Sequence, residues 1–317
     1  MNVPVFDLHC DTALALLGHG EKPERSLLKN DCHIDLERAG KLAGYCQCFA
    51  CFTTPFMEDW MQVSPVTVFQ EELAILHKSL EENKDRIRQA FTAADVEENY
   101  KNGMMSAVLT IEGPAGFQFN PERLEELYKI GFRITSLGWN EQNPLAGSHV
   151  TGGGLTDRGR AYIAEAQRLG MIIDVSHISD EAFYDIMDVT QAPVIATHSN
   201  SRSVCAHSRN VTDDMFSQIC KTGGVVGFNQ CDAFVGMNPD LNTACDHFLH
   251  FLELDPDGKH IALGADLDGC DVLPAGFTGI ESYPDLAQRL GLRGLSEDNI
   301  YDIFWNNALG VMKRCCI

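Results

Sequence analysis

The N-terminal stretch holds the first pair of side chains that suggests chemistry. The run from Val3 to Thr12, Val-Pro-Val-Phe-Asp-Leu-His-Cys-Asp-Thr, predicts a buried strand that ends in His9 and Asp11. Side chains two residues apart in a strand point to the same face, so this imidazole and this carboxylate can aim at one point. Such a pair is a usual beginning of a zinc-type site, but it also arises by chance, and the rest of the chain must supply further ligands.

Further polar side chains stand at the ends of other apolar runs. A single polar residue at a strand end is usually a cap or a loop hydrogen bond. Three histidines and several carboxylates at the strand ends of one sheet are instead typical of a metal site. Besides His9 and Asp11, the residues concerned are Glu112, His177, His198, Asp266 and Asp268.

The elements that must position these side chains follow from the alternation of two patterns. Near-continuous apolar runs, typical of parallel strands covered on both faces, are predicted at residues 3–9, 44–52, 105–113, 132–139, 171–177, 192–199, 223–230 and 261–267. Amphipathic stretches predict helices at residues 66–79, 93–102, 121–130, 155–169, 180–189, 212–222, 242–254, 283–290 and 296–313.

Eight alternating units predict an α/β fold, a (β/α)8 TIM-type barrel formed by a single domain of residues 1–317. In such a barrel the C-terminal ends of the strands meet at one face, which is where a metal site is expected. A doubly wound open sheet is the alternative. The chain has neither a Gly-x-Gly-x-x-Gly turn after its first strand nor a Walker-type phosphate loop, which weakens a nucleotide-binding version of that alternative.

The composition is that of an ordinary globular protein with a strong acidic excess. The chain has 24 basic and 45 acidic residues, a formal net charge of -21, so we predict neither nucleic acid nor an anionic membrane as a partner. No apolar run reaches the length of a membrane span, and charged residues interrupt the N-terminal stretch, so we predict a cytoplasmic location. We interpret Cys46, Cys48 and Cys51 as small core residues rather than a soft-metal cluster, because no second Cys pair at zinc spacing accompanies them.

The number of candidate ligands predicts two metal ions. Zinc takes about four ligands, and a catalytic zinc leaves one position for water. His9, Asp11 and one oxygen of Glu112 are predicted to hold the first ion, and His177, His198 and the other oxygen of Glu112 the second. A bridging water completes both shells, and two ions roughly 3.5–4 Å apart lower its pKa. These ligand types also accept Mn, Co or Fe, so the sequence does not fix the metal.

One carboxylate is left over for proton transfer. Asp266 is predicted to take a proton from the bridging water and to pass it to the leaving amine. Asp268, two residues further on, is the alternative. We favour Asp266 because it comes first as the strand leaves the barrel.

Taken together, these motifs resemble the renal or membrane dipeptidase family, peptidase family M19, of the metal-dependent amidohydrolase superfamily. In that family a glutamate after strand three bridges two zinc ions, whereas many other members of the superfamily use a carbamylated lysine after strand four. Here strand four ends in Trp139 and carries no lysine, which favours the dipeptidase branch. The resemblance covers all eight predicted strands and rests on His9-x-Asp11, Ile111-Glu112-Gly113, Asp174-Val-Ser-His177, Thr197-His198-Ser199 and Gly264-Ala-Asp266-Leu-Asp268-Gly269.

The resemblance also implies a residue that binds the substrate's terminal carboxylate. The family uses an arginine a short distance beyond the strand-six histidine, and Arg209 fits that position. A guanidinium fork suits a carboxylate geometrically. Arg202 is a weaker substitute, and the alternative role for Arg209 is an internal ion pair with Asp213 or Asp214.

At one position the sequence departs from the family. The family places a histidine after strand four to polarise the scissile carbonyl, and Trp139 aligns with it here. Indole is only a donor and cannot become cationic. The hydrogen bond to the substrate is therefore assigned to Trp139 or Asn140, with His149 in the following loop as a further candidate.

The resemblance implies a binuclear zinc dipeptidase that hydrolyses free dipeptides with a metal-bridging hydroxide, tolerates a D-residue at the C-terminal side and forms a homodimer. Two alternatives stay open. The first is another hydrolase of the superfamily, such as an N-acyl amino acid deacylase or a lactonase, and Trp139 motivates it. The second is a non-catalytic barrel that serves as a scaffold, and only the missing histidine supports it.

Overall fold

A barrel of parallel strands forms the centre of the computed structural model, which describes residues 1–18 and 24–316. None of the predicted site residues falls outside these ranges, although the predicted domain of residues 1–317 extends beyond them. The strands are β1 (Val5–Cys10), β2 (Tyr45–Phe52), β3 (Ile87–Gln89), β4 (Met105–Glu112), β5 (Phe132–Ser136), β6 (Ala146–Ser148), β7 (Gly152–Leu155), β8 (Ile172–Asp174), β9 (Val194–Ile195), β10 (Val226–Phe228) and β11 (Ile261–Leu263).

Eight of these strands form the barrel wall. They pair in parallel in the order β10, β11, β1, β2, β4, β5, β8, β9, and β3 adds to β4 outside this path. A single parallel bridge between Ala196 and Val226 joins the two ends of the sheet beside β9 and β10. The prediction of a (β/α)8 TIM-type barrel is confirmed.

The bridge between the two ends is a close contact of backbones. A Cβ atom at Gly227 would lie 2.1 Å from the Thr197 carbonyl oxygen, and one at Gly264 would lie 1.6 Å from the same atom. Only glycine allows three strands to approach this closely. We call this contact of Thr197, Gly227 and Gly264 the glycine seam.

Helices cover the outside of the barrel, and side-chain caps fix where many of them begin. Ser64, Thr92, Thr156, Ser179 and Thr212 each accept a hydrogen bond from a backbone N–H of the first turn that follows. The helices are α1 (Thr12–Leu17), α2 (Leu36–Ala39), α3 (Met57–Met61), α4 (Pro65–Glu82), α5 (Ala93–Lys101), α6 (Leu124–Ile130), α7 (Asp157–Leu169), α8 (Asp180–Val189), α9 (Asp213–Thr222), α10 (Asp232–Val235), α11 (Leu241–Leu254), α12 (Tyr283–Leu292), α13 (Glu297–Tyr301) and α14 (Asn307–Cys315), with a π-helical segment at Asp302–Asn306 and 3₁₀ turns at Pro114–Phe117, Pro121–Arg123 and Ile280–Ser282.

Apolar side chains fill the space inside and outside the wall. Alternation along β2 places Cys46 and Cys48 in one buried cluster with Phe6 and Val108, and Cys51 in the other. All three cysteines are buried and free. Their thiols therefore do not converge, and the interpretation of these cysteines as core residues is confirmed.

Several of the observed strands, though not β1 and β2, end earlier than predicted. The predicted strand at residues 171–177 stops at Asp174, and the one at residues 261–267 stops at Leu263. The backbone bends after Asp174 and after Leu263. The bends direct the side chains of His177 and Asp266 towards the barrel axis. The sequence does not predict the short hairpin of β6 and β7, which includes Leu155, and the helix predicted from residue 155 begins at Asp157. Among the residues described, no helix is long and apolar enough to cross a membrane.

Candidate metal centre and substrate pocket

The predicted ligands converge at the C-terminal face of the barrel. His9 lies in β1 and Glu112 is the last residue of β4, while His177 and His198 follow β8 and β9 closely. Asp11 directly follows the end of β1, and each of the five residues is less than a tenth exposed. The parallel arrangement brings these strand ends to one face, as the sequence predicted.

Glu112 lies at the centre of this cluster. Its Oε2 is 3.1 Å from His9 Nε2. Its Oε1 is 2.9 Å from His177 Nε2 and 3.6 Å from His198 Nε2. One carboxylate oxygen of Glu112 thus faces His9, and the other faces His177 and His198. This is the arrangement that a bridging ligand requires.

Two buried polar atoms support a metal site. His9 Nε2 and Asp11 Oδ1 form no hydrogen bond with any part of the chain that the structure describes. Unpaired buried polar atoms are costly unless a further group satisfies them. Ligand atoms of His9, Glu112 and His198 lie within 4.8 Å of one another, as do those of His9, Asp11 and Asp266. The residues present fit one or more divalent cations.

The pKa shifts within the cluster also support a metal site. Burial raises the pKa of Glu112 to about 8 and that of Asp266 to about 6, although His9 opposes both shifts. Burial alone would lower the pKa of His9, but the Glu112 and Asp11 carboxylates outweigh it and raise that pKa well above the ordinary value. These shifts show that the buried carboxylates lack compensating positive charge, which a bound cation would supply.

The other two imidazoles are held neutral. Burial lowers the pKa of His177 well below its ordinary value, and Arg209 adds to this shift. The pKa of His198 is also far below its ordinary value, first because of burial and then because of His9 and Arg209. Neutral imidazole is the form that binds a metal ion.

The backbone is strained where it turns side chains into the cluster. His177 has a φ of 70°, Asp266 has 61° and Asp268 has 69°. Residues other than glycine seldom adopt this left-handed region, and such strain tends to occur at functional sites. Each of these residues follows a barrel strand, and the bends bring the side chains of His177 and Asp266 to the other ligands.

The two candidate proton shuttles have different surroundings. Asp266 Oδ1 lies 3.7 Å from His9 Nε2, and Oδ2 accepts a hydrogen bond of 3.0 Å from Asn229 Nδ2. Asp268 instead accepts from Thr12 Oγ1 and from the backbone N–H of His33, each at 2.6 Å. These contacts support Asp266 as the residue that faces the reaction, and they give Asp268 the role of fixing the loop that contains His33.

A cavity of about 440 Å³ opens above the cluster. Phe52 and Trp139 form part of its wall, and Phe234 and His207 also line it. The Trp139 ring lies edge-on to Phe52, with 5.4 Å between centroids, and its centroid is 5.3 Å from that of Trp60. Trp139 therefore lines the cavity, and it forms an aromatic surface with Phe52 and Trp60.

Asn140 connects two histidines at the edge of the cavity. Its Oδ1 is 2.9 Å from His177 Nδ1 and 2.8 Å from His149 Nε2. Because Arg209 Nη2 donates to His177 Nε2, the proton of this neutral ring belongs on Nδ1, and Asn140 Oδ1 accepts it. The Asn140 Nδ2 group has no partner in residues 1–18 and 24–316, and Asn140 lines the cavity.

His149, the further candidate for the place of the missing histidine, has a hydrogen-bond partner at each ring nitrogen. Its Nδ1 is 2.8 Å from Ser208 Oγ, and its Nε2 faces Asn140. Burial lowers its pKa to about 3, with further contributions from Arg209 and His207. Both ring nitrogens thus have partners and the ring stays neutral, so His149 supports Asn140 at the edge of the cavity.

Arg209 lies within the pocket although it is only 4% exposed. Its Nη2 donates to His177 Nε2 at 3.0 Å and to the His198 carbonyl oxygen at 3.2 Å. Its Nε is buried and has no hydrogen bond to the described chain. The guanidinium is therefore incompletely paired beside the metal cluster.

The alternatives to Arg209 as the carboxylate-binding residue are not supported. In the part of the chain that is described, no ion pair joins Arg209 to Asp213 or Asp214, since Asp213 pairs with His250 and Asp214 accepts from Tyr184. Arg202 forms a two-bond ion pair with Asp180. The internal ion pair considered for Arg209 is wrong, and Arg202 is already paired elsewhere.

Sequence reasoning missed Asn229, which follows β10. Its Nδ2 donates to Asp266 Oδ2, and it is fully buried. Asn229 stands at the end of a predicted strand, just as the ligands do. A rule that considers amides at strand ends, as well as histidines and carboxylates, identifies it.

The fold and the cluster together define the class of the protein. A (β/α)8 barrel with imidazole and carboxylate groups converging at the C-terminal strand ends is the architecture of a metal-dependent hydrolase. The family model described as membrane dipeptidase, peptidase family M19, matches residues 1–315, and the chain belongs to this family. Membership of a metallopeptidase family implies dependence on a metal.

Individual relatives agree with this family. An uncharacterized dipeptidase of Schizosaccharomyces pombe, C3A11.10c, is 36% identical over 216 residues, which are 66% of this chain and 53% of that protein. The aligned part thus spans about half of that relative's length. Among solved structures, dipeptidase AC of family M19 has a TM-score of 0.88 at 25% identity, covering 100% of this chain and 99% of its own.

A second solved structure shows the same fold. It is a metallopeptidase from Rhodobacter sphaeroides, crystallised with a phosphinate mimic of the dipeptide L-Ala-D-Ala. Its TM-score is 0.88 at 24% identity, and the match covers 99% of this chain and 100% of that one. The likeness extends over the whole barrel.

Proposed function

We propose that this protein is a binuclear zinc dipeptidase that hydrolyses free dipeptides. The observation that carries the proposal is the position of Glu112, whose two oxygens face His9 on one side and His177 with His198 on the other. With Asp11 beside His9, this provides two ligand sets that share one carboxylate. Mn, Co or Fe suit the same ligands.

The chain's own residues then divide the remaining tasks. His9, Asp11, Glu112, His177 and His198 would hold the two ions, which would lower the pKa of the attacking water and would place positive charge beside the attacked carbonyl. Asp266, held by Asn229, accepts the proton of the attacking water and gives it to the leaving amine. Arg209 binds the terminal carboxylate, and the aromatic surface around Trp139 excludes water from one side of the substrate.

Asn140 is proposed to polarise the scissile carbonyl in place of the family histidine. Its oxygen is used by His177 and His149, so its N–H₂ group faces the cavity without a partner among the described residues. Asn140→Asp keeps both oxygen contacts but removes this donor. We expect kcat to fall about 100- to 1000-fold, the usual cost of one oxyanion donor, while bound metal stays at the wild-type level. Steady-state kinetics with metal analysis of the same sample checks this, and metal loss in the variant would contradict it.

Arg209→Lys tests the carboxylate contact. Lysine keeps the charge but loses the two-pronged geometry, so KM for a dipeptide should rise roughly 10- to 100-fold, the value of a charge-assisted hydrogen bond. The matched measurement uses the same dipeptide with a C-terminal amide. The amide should be a poor substrate of the wild type and should respond little to the substitution. Equal losses on both compounds would show that Arg209 does not bind the carboxylate.

A small substrate panel tests the function as a whole. Zinc-loaded protein of known metal content is offered L-Ala-L-Ala, L-Ala-D-Ala and N-acetyl-L-Ala, the second because the Rhodobacter sphaeroides metallopeptidase binds a mimic of that dipeptide. Two metal ions per chain and cleavage of the free dipeptides alone are expected. Cleavage of the acetylated compound alone would favour an N-acyl amino acid deacylase.

The deacylase and the lactonase remain the second candidates because Trp139 replaces a polar family residue with an apolar wall. A scaffold without catalysis is disfavoured by the strained, buried and unpaired polar groups, which a scaffold does not need. The cytoplasmic location and the homodimer stay predictions.

A further inference from the structure

One buried aspartate forms hydrogen bonds with the residues that directly precede His177 and His198, the histidines of the second ligand set. Asp174 Oδ1 accepts hydrogen bonds of 2.9 Å from the backbone N–H groups of Ser176 and Thr197. Asp174 Oδ2 accepts from Thr197 Oγ1 at 2.6 Å. The Thr197 hydroxyl in turn lies 2.7 Å from His198 Nδ1. All of these residues are at most 3% exposed, so water does not compete for the contacts.

The direction of each hydrogen bond in this chain of groups follows from the carboxylate. A carboxylate can only accept, so the single hydroxyl proton of Thr197 points to Asp174. The Thr197 oxygen is then left to accept from His198 Nδ1, which must carry the ring proton. His198 Nε2 consequently presents a lone pair, and it is this atom that lies 3.6 Å from Glu112 Oε1 and 2.9 Å from His177 Nε2.

We propose that Asp174 and Thr197 are positioning residues that set the tautomer of His198 and thereby prepare it to bind a metal ion. Neither side chain reaches the cluster itself. They act on the metal site only through the His198 imidazole. Residues that hydrogen-bond the second ring nitrogen of a metal-binding histidine fix the orientation of the ring and raise its basicity. The inference rests on the proposed role of His198 as a ligand.

A second aspartate in the barrel provides an internal control. Asp7 accepts from the backbone N–H of His9 at 2.9 Å and from that of Ala265 at 3.0 Å, so it joins β1 to the strand end that carries Asp266. This repeats the backbone pattern of Asp174. Ala265 occupies the position equivalent to Thr197 and has no hydroxyl, so Asp7 has no corresponding link to an imidazole among the described residues.

The test removes the acceptor without removing its volume. In Asp174→Asn the amide oxygen must stay with the two backbone N–H groups, so the N–H₂ group faces the Thr197 hydroxyl and donates to it. That hydroxyl then needs a new acceptor, which is either His198 Nδ1 or Ser176 Oγ at 3.3 Å. Combining the change with Ser176→Ala leaves only His198 Nδ1. The ring proton is then driven to Nε2, the atom that should bind metal.

Two measurements on the full-length, zinc-loaded protein report the outcome. Two-bond ¹H–¹⁵N spectra, with the His198 signals assigned by their loss in His198→Gln, should show an Nδ1–H ring in Ser176→Ala and loss of that pattern in Asp174→Asn/Ser176→Ala. Titration at buffered free Zn²⁺ should show about a 10- to 100-fold weaker affinity for one of the two ions, the usual effect of losing a partner behind a ligand.

Matched variants separate this role from general damage to the barrel. Asp7→Asn removes an equally buried carboxylate, and we expect it to leave the His198 ring signals unchanged. Thr197→Val keeps the shape of the side chain and breaks the link, so it should also lose the Nδ1–H pattern while thermal unfolding stays cooperative. Unchanged ring signals and unchanged zinc affinity in the double variant would overturn the inference. The ring signals do not depend on a substrate, so they remain decisive even if no dipeptide is cleaved.

Discussion

Glu112→Gln is expected to abolish metal binding and activity together. The amide keeps the size of the side chain, but it replaces one of the two oxygens that face the imidazoles with a donor and removes the charge. Loss of a residue that hydrogen-bonds a metal ligand from behind lowers metal affinity by up to roughly 100-fold. Glu112 contacts both ligand sets directly, so zinc affinity should fall by more than this. Metal content by mass spectrometry and hydrolysis of L-Ala-L-Ala on the same preparation measure both effects.

A second buried glutamate provides the control for this variant. Glu72 is fully buried in α4, and its two oxygens have no hydrogen-bond partner in the described chain. Burial, and after it the Asp11 and Glu112 carboxylates, raises its pKa well above the ordinary value, which favours the neutral acid that glutamine imitates. Glu72→Gln should keep metal and turnover. Full activity of Glu112→Gln without bound metal would refute the mechanism.

Asp266→Asn should separate chemistry from metal binding. If Asp266 carries the proton, its loss should lower kcat about 100- to 10,000-fold, the range for general acid–base groups, with little change in metal content. The contact with Asn229 can persist through the amide oxygen, so the loop should keep its position. Single-turnover kinetics on metal-loaded protein is the appropriate measurement.

The structure also defines the result that would revise this role. Asp266 lies within ligand distance of His9 and Asp11, so loss of one ion in Asp266→Asn would make it a ligand instead. Asp268→Asn is the matched comparison, two residues away. Asp268 accepts hydrogen bonds from Thr12 and from the His33 backbone. This variant should therefore lower the free energy of unfolding by more than it raises the activation free energy calculated from kcat.

The sequence predicted the barrel and the cluster because both depend on short-range regularities. Strand runs that are apolar throughout indicate parallel pairing, and parallel pairing alone brings the residues after β1, β4, β8, β9 and β11 to one face. No knowledge of loop structure was needed to expect Glu112 beside His9. The same rule, applied to amides, would have added Asn229.

The pocket wall was much harder to predict. That Asn140 contacts both His177 and His149 depends on how the β6–β7 hairpin folds back over the site, and no periodic pattern records such a fold. The partners of Arg209 and Arg202 likewise depend on which loop groups come near them after the barrel closes. Side chains in long loops are positioned by contacts distant in sequence, whereas strand ends are positioned by the sheet.

The glycine seam limits how this chain can diverge. Any side chain at residue 227 or 264 would meet the Thr197 carbonyl oxygen and push β9 away from its neighbours. Thr197 is bonded to Asp174 and directly precedes His198, so the displacement would reach the metal cluster. We therefore expect that only glycine is tolerated at these two positions during evolution. Neither glycine has a side chain that could take part in the reaction, so the constraint comes from the backbone contact alone.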